Sequence, residues 1–490
     1  MTKKKQANAW IKLTFFLKEH WDKILLVTLF LSYSLIFSSL SILRHNAFAS
    51  NFDLSNMDQT LWFTLHGHFF SLRLPDEITS RLAVHADFIL ALLSPLYLIK
   101  DDVRILLVFQ SVSIGLGSIP VYLLAKKILK NKIIAFGVVL SYLLNPAIQW
   151  TNIYDFHAVA LAIPLLLTAF YLAYSKRWNW FLIVAFLAIL TKEQISLNIA
   201  MLGLIILFVF KNKKIGIPTF FIGIIWFAAM VYVVMPHFSS TGSHWVLSSR
   251  GETNFLQSLE KFQNSEFILR RFITSPKTVE YYKLLLEPFA YLPVIGFPWL
   301  LFSAPDFVIN MLMGARNINL HYDSGTMPAI VIATIYGLSY IKRILLKIFA
   351  NSALSRLSIA LITIVLVVSA LRANYFYGPL PTTPSCWCYI YNVTYEDKEF
   401  EKILQNLPNS EIITSSLEIR PHVNHRPYSF ALPSATESAK FIALMTQNRI
   451  IGNYEPKAYE NELLPILLAS ENHILKYKGK YLYLFERIDN

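Results

Sequence analysis

The chain has 490 residues, of which 55% are hydrophobic and only 15% charged. Soluble domains carry about 25% charged residues, and with a mean hydropathy of +0.45 the composition excludes a soluble globular class. The net charge of +13 does not mark a nucleic-acid binder, because lysines and arginines cluster between apolar runs, as in KKILKNK (126–132) and KNKK (211–214), the positive-inside pattern of a polytopic membrane protein.

Helices are required, since a segment alone in lipid must satisfy its own backbone. Residues 24–43 form the first apolar segment. It follows a long basic stretch and lacks a small-residue cleavage site, so it reads as a retained span with the N-terminus in the cytoplasm. Next comes NFDLSNMDQTLWFTLHG (51–67). As a helix it puts Leu54, Met57, Leu61 and Leu65 on one face, and Asp58, Trp62 and His66 on another. Asp53 takes the N-cap position and Gly67 is a left-handed stop. Such a helix suits the membrane interface, with leucines down and acids towards water.

Segment 86–99 is apolar but short, with Pro95 near its end. It is expected to stay on the outer side, interfacial or re-entrant, because a full crossing would turn 126–132 outward. Spans are expected at 103–125, 133–149, 158–174, 180–190, 195–210 and 215–235. Residues 236–287 read as a large polar outer loop, and 289–313, broken at Pro293, Pro298 and Pro305, as a hairpin returning to the same side. Spans 328–340 and 357–371 complete about eleven crossings, with the C-terminus outside. The membrane part is thus 1–373. A proline-rich linker, 374–394, leads to a tail, 395–490, expected to be a small extracytoplasmic α/β domain. In it EIITSSLEI and KYLYLFERI read as strands, SATESAKFIALMTQN and ENELLPILLASENHILKY as helices. Cys386 and Cys388, the only thiols, stand one residue apart, a poor spacing for an intrachain disulfide.

With this topology the unusual polar residues gather at the outer ends of spans. They are Asp53, Asp58, Gln59, His66, His85 and Asp87, then Asp155 and His157 in YDFH, Lys192 and Glu193 in TKE, and His321, Tyr322 and Asp323 in LHYD. Ionisable residues beside apolar segments are costly and mark functional sites; the bland reading of each one singly is a solvated loop end. Together they suit group transfer at the membrane surface: a carboxylate as base, others holding a divalent cation, a lysine holding a phosphate. The histidines could equally be zinc ligands, although no HExxH-type spacing marks a hydrolase.

The runs FDLSNMDQTLWFTLHGHFF, VHADFILALLSPLYLI, NPAIQWTNIYDFHAVALAIPLLL, LAILTKEQ and LHYDSGTMPAIVIATIYGL resemble the DUF2079 family of predicted membrane proteins, in blocks spread over roughly 45–345. More distantly, the layout resembles the GT-C class of lipid-phosphate-dependent glycosyltransferases. These bear an acidic motif on a juxtamembrane helix in the first outer loop and a second acid in the next. LTK also resembles the LTKG of the oligosaccharyl- and aminoarabinose-transferase relatives. The resemblance implies a GT-C-like helical membrane fold and inverting transfer of a sugar from a polyprenyl-phosphate donor. It implies Asp53 as general base, with Asp58 second, and Asp155 as the second-loop acid, able with Asp53 to hold Mg²⁺ or Mn²⁺. Lys192 would approach the donor phosphate, and Gln59, His66, His85, His157, Glu193, His321 and Tyr322 would contact substrate.

Two departures stand out: Glu193 replaces the glycine of LTKG, and VHAD stands where those relatives carry a Glu-Lys-Pro type motif with its phosphate lysine. The competing readings are a transporter or flippase of a lipid-linked or polar substrate, for which the proline-broken 289–313 is the hint, and a non-catalytic scaffold presenting the tail.

Overall fold

The computed structural model describes residues 2–73, 78–240, 242, 257, 260–349, 353–449 and 456–488, with the backbone alone for 2–18 and 78. Most of the tip of the expected 236–287 loop therefore lies outside the described residues. Among the described residues five helices are long and apolar enough to cross a bilayer: Glu19–Asn46, Arg104–Leu129, Lys213–Phe238, Met327–Ile348 and Ala353–Tyr377. Lys132–Leu143 and Pro146–Ile153 make a sixth if counted as one span bent by 44°. The bend falls at Asn145-Pro146, where proline has no N–H to continue the ladder and Asn145 caps the second piece through the Ile148 N–H.

The expectation of eleven full crossings is corrected on length. Ala158–Tyr174, Trp178–Ile189, Ile195–Phe208 and Phe297–Met313 are apolar but shorter. The 14 residues of Ile195–Phe208 reach about 21 Å, against a hydrocarbon core of about 30 Å. The sequence reading counts more because the charge rule takes every apolar run between basic loops as a crossing, including runs shorter than the bilayer needs. Ile195–Phe208 nevertheless packs tightly on Lys213–Phe238: a Cβ on Gly203 would stand 2.5 Å from the backbone nitrogen of Phe220, a close approach of the small-residue kind.

Two ends of the bundle differ in chemistry. At one, Asp22 is buried against Lys126 and Lys132, each 3.0 Å away, while Lys342 donates to the Leu129 carbonyl and Lys127 to Ser175. The other end carries the polar loops and the tail. Segment 86–99 begins and ends at this second end, since the Ala86 N–H meets Glu193 and Tyr97 donates to Asp58. It forms two short turns, Ile89–Leu93 and Ser94–Leu98, with Pro95 starting the second. The expected 289–313 hairpin is instead a run of short helices, Leu292–Ile295, Phe297–Ser303 and Ala304–Met313, each with its proline in the first turn.

In the tail a five-stranded sheet runs in the order Ser429–Ala431, Ile413–Ser415, Phe441–Met445, Leu482–Arg487, His473–Lys478. The first three strands are parallel and the last two join antiparallel. Two sequence readings are corrected here. The run read as one helix around FIALM is the central strand, buried at all five positions, because a continuous apolar run suits a strand covered on both faces. ENELLPILLASENHILKY divides into helix Ala458–Ala469 and strand His473–Lys478. Helix Tyr395–Gln405, started by a Thr394–Asp397 capping box, was not anticipated. Cys386 and Cys388 do form a disulfide: the turn before Cys388–Tyr391 brings their Cα atoms to 5.0 Å, within bridging range.

The tail sits on the second end of the bundle. Phe48 joins the core of Phe400, Leu404, Ile413 and Ile419, Arg449 donates to the Ala47 carbonyl at 2.9 Å, and Arg104 pairs with Glu401 at 2.7 Å.

Candidate functional site

Helix Phe52–Leu65 is capped by Asn51, whose side chain accepts from the Phe52 N–H, so Asp53 is a first-turn residue and not the N-cap expected from sequence. Gly67, at φ +85°, ends it in the left-handed conformation. The helix does not hold both its acids in water. Leu54, Met57 and Leu61 pack on Leu82, Leu90 and Leu106, and Asp58 is fully buried beneath the tail.

Its start is tied to loop 154–157. The Asn51 N–H donates to Asp155 Oδ2 at 2.9 Å, Asn51 Nδ2 donates to the Tyr154 hydroxyl at 3.0 Å, and Arg44 pairs with Asp155 at 3.0 Å. Asp155 holds a strained φ of 137°. Gln110 clamps the bend, donating to the Asp155 carbonyl at 2.7 Å and accepting from the His157 N–H at 2.8 Å. This clamp sets His157 Nε2 3.2 Å from Asp53 Oδ2. The His157 ring also stacks on His321, with centroids 3.7 Å apart. Loop 320–324 is held by Thr151 donating to the Leu320 carbonyl and Asn310 donating to the Tyr322 carbonyl.

These residues open onto a cavity of about 820 Å³, also lined by Arg81, His85, Lys192 and Glu193 and by the apolar Phe227, Val231, Leu312 and Met313. Phe227 and Val231 lie on Lys213–Phe238, which runs past the cavity and contains a π-helical turn at Met230–Val234, a distortion frequent at functional sites. His85 meets Glu193 at 3.0 Å and Arg81 is buried against Asp87 at 2.8 Å. Lys192 pairs with no carboxylate among the described residues, which leaves its charge to the cavity.

Burial alone would raise the Asp53 carboxyl, but His157, His321 and Arg81 outweigh it and hold Asp53 well below the usual carboxylate range. Burial, then the neighbouring His157 and Lys192, push the His321 imidazole well below its ordinary value. Burial and Lys192 lower His85 as well, against Glu193. Burial pushes Asp155 up, opposed first by Arg44. At neutral pH the cavity thus holds an ionised aspartate beside a neutral His321 and a lysine.

Residues 44–465 match the family described as predicted membrane protein, DUF2079. The chain belongs to this family. In fold it is similar to the crystal structure of ArnT from Cupriavidus metallidurans in the apo state, with a TM-score of 0.51 at 12% identity over 94% of this chain and 98% of that one. This DUF2079 chain therefore shares the overall fold of ArnT, with a small sheet at its C-terminal end. No curated protein matches the sequence.

Of the residues singled out from sequence, the DUF2079 chain brings Asp53, His85, Asp87, His157, Lys192, Glu193, His321 and Tyr322 to one cavity. Five others lie elsewhere. Asp323 accepts from the Tyr281 hydroxyl. Asp58 faces His425, Asn424 and Tyr97. Gln59 accepts from the Arg73 N–H and from Arg420. His66 is exposed at the helix end, bonded to the Trp62 carbonyl. Asp155 turns to Arg44, so the expected Asp53–Asp155 cation pair does not form; the groups that converge on Asp53 are His157 and His321. Sequence reading missed Arg81, Asn56 and Lys277, which also line the cavity. Arg81 had a signal, standing four residues before His85 at the head of the same apolar segment. Lys277 had none, being one charge among many in a polar loop.

Proposed function

We propose that this chain is a membrane glycosyltransferase that moves a sugar from a polyprenyl-phosphate donor to an acceptor hydroxyl at the outer face of the membrane. The observation that carries the reading is an ionised Asp53 and a Lys192 with no carboxylate partner among the described residues, lining one cavity in a GT-C-like fold. In this reading the acceptor oxygen attacks the anomeric carbon while its proton passes to Asp53. The bond from that carbon to the phosphate oxygen breaks, giving inversion. A phosphate is already a good leaving group, so Lys192 need only stabilise the charge that develops on it. Asp53 stays ionised at neutral pH and takes the proton late, as the new bond forms.

The apolar wall gives the lipid a path. Phe227 and Val231 line the cavity, and Phe221, Ile222 and Ile225 on the same helix are exposed, which suits a polyprenyl chain lying along it. The outer-face assignment rests on charge: Lys126, Lys132 and Lys342 gather at the end away from the site. The test is sugar release from polyprenyl-phosphate donors by the purified full chain in lipid. Release that requires both protein and acceptor supports the reading, and no release from any such donor overturns it.

A further inference from the structure

We infer that Asp53, His157 and His321 together bind one divalent transition-metal ion of the zinc class. One ligand atom from each lies within 4.8 Å of the other two. Ligands about 2.1 Å from a shared tetrahedral ion stand about 3.4 Å apart, so modest side-chain movement closes the site. His157 and Asp53 are already 3.2 Å apart.

A second observation points to a ligand. The His157 side chain is 3% exposed, yet among the described residues its Nε2 makes no aligned hydrogen bond, Asp53 lying 3.2 Å away off the N–H direction, and the buried Nδ1 of His321 has no partner. An ordinary His157–Asp53 ion pair would align that Nε2 on the carboxylate, and it would give His321 nothing to do. The other nitrogen of His157 is accounted for, since Nδ1 faces the Asp155 carbonyl at 3.4 Å. That is the outer hold by which a metal-binding histidine is given its tautomer and orientation, with Nε2 left as the lone-pair donor. Gln110 fixes the same carbonyl, so the strained loop at Asp155 serves to aim His157.

The donor set selects the ion. Two imidazoles and one carboxylate suit zinc and its first-row neighbours. Magnesium asks for near-octahedral oxygen ligands and keeps its water, so it does not fit this wall. Three protein ligands leave a coordination position open to the cavity. Resting on the transferase reading, that position would take the acceptor hydroxyl: Asp53, His157 and His321 would hold an ion that lowers the hydroxyl's pKa, and the Asp53 carboxylate would receive its proton.

The test uses the full chain in detergent, stripped with a chelator and then titrated with Zn²⁺, Co²⁺ or Mg²⁺. One Zn²⁺ per chain is expected after desalting, with Mg²⁺ unable to displace it. His157→Gln and His321→Gln should each weaken Zn²⁺ by at least about tenfold, since losing a ligand costs no less than losing a group behind one. No Zn²⁺ uptake by the stripped wild type, or equal uptake by the double variant, overturns the site. If the variants melt early, the wild type with Co²⁺ decides: absorption bands of a four- or five-coordinate histidine site support it, and their absence overturns it. Zinc bound without sugar transfer sinks the transferase reading and leaves the site standing. Transfer by protein that takes up no zinc does the reverse.

Discussion

Oδ1 of Asp58 lies 2.7 Å from Nε2 of His425, a contact that spans 367 residues of sequence. Asp58 is fully buried, and His425 reaches on to Asp101 at 2.6 Å. The tail is thus locked to the helix that carries Asp53, and the acid that shares that helix serves docking, one face round from the cavity. Replacing Asp58 by alanine is expected to cost about 3 kcal/mol, the scale of breaking one partner of a buried ion pair. Thermal melting of the full chain reads this, and a shift too small to resolve would separate Asp58 from docking.

The same contact carries a pH dependence. Burial alone would lower His425, but Asp58 and Asp101 outweigh it and raise the imidazole to about 10. A raised folded value means the contribution is fully present below the unfolded value of about 6.5. It declines above that and is lost as pH passes through about 10. The melting temperature of wild type minus that of His425→Gln should therefore shrink steadily across this window. A difference that stayed constant would mean that His425 is not charged in the contact.

Which parts of this were legible beforehand follows from the range of the interactions. The residues at the ends of apolar runs, Asp53, His157, Lys192 and His321, were found because a polar group beside a span is local information. Helical spacing also put Asp53 and Asp58 in one helix. It could not say which of them would be covered, because the cover is His425 and Asn424 in the tail. The crossing number is not matched by helix length, because the charge rule counts an alternation of basic loops and not the length of what lies between them. Trp178–Ile189 and Ile195–Phe208, with 12 and 14 residues, were counted as crossings on that ground. FIALM was misread because a short, wholly apolar run has no period to tell a strand from a helix.

Sidedness is the next expectation. Lys126, Lys132 and Lys342 share one end of the bundle with Asp22, and the tail sits at the other. By the charge rule, 126–132, 211–214 and 342–347 are expected to be cytoplasmic and 374–490 outside. Lys213→Cys should label only from the cytoplasmic side. Labelling from outside would invert every later segment with it.

Lys192 is expected to act on the donor phosphate. Lys192→Gln keeps much of the side chain's length but removes the charge, and should lower kcat for transfer by about 10²-fold, as the loss of one transition-state donor does. Lys192→Arg should recover part of that rate, because a guanidinium also binds phosphate. A change in KM alone would place Lys192 in ground-state binding.

Asp53→Asn is the decisive substitution for the chemistry. Asparagine keeps the size of aspartate, and because Asn51 provides the cap, the capping hydrogen bond at the helix start is kept whichever of the two stands at 53. The melting temperature should therefore hold within the small range of a surface change. The rate of sugar transfer should fall by at least about 10²–10⁴, the usual contribution of a general base, with the loss of a metal-binding carboxylate added to it. Asp53→Ala should fall as far, since neither residue can take the proton. If Asp53→Asn transferred sugar at the wild-type rate, the proton would have to go elsewhere. Glu193 is then the next carboxylate on the cavity wall, 3.0 Å from His85, and Glu193→Gln would be the variant to measure.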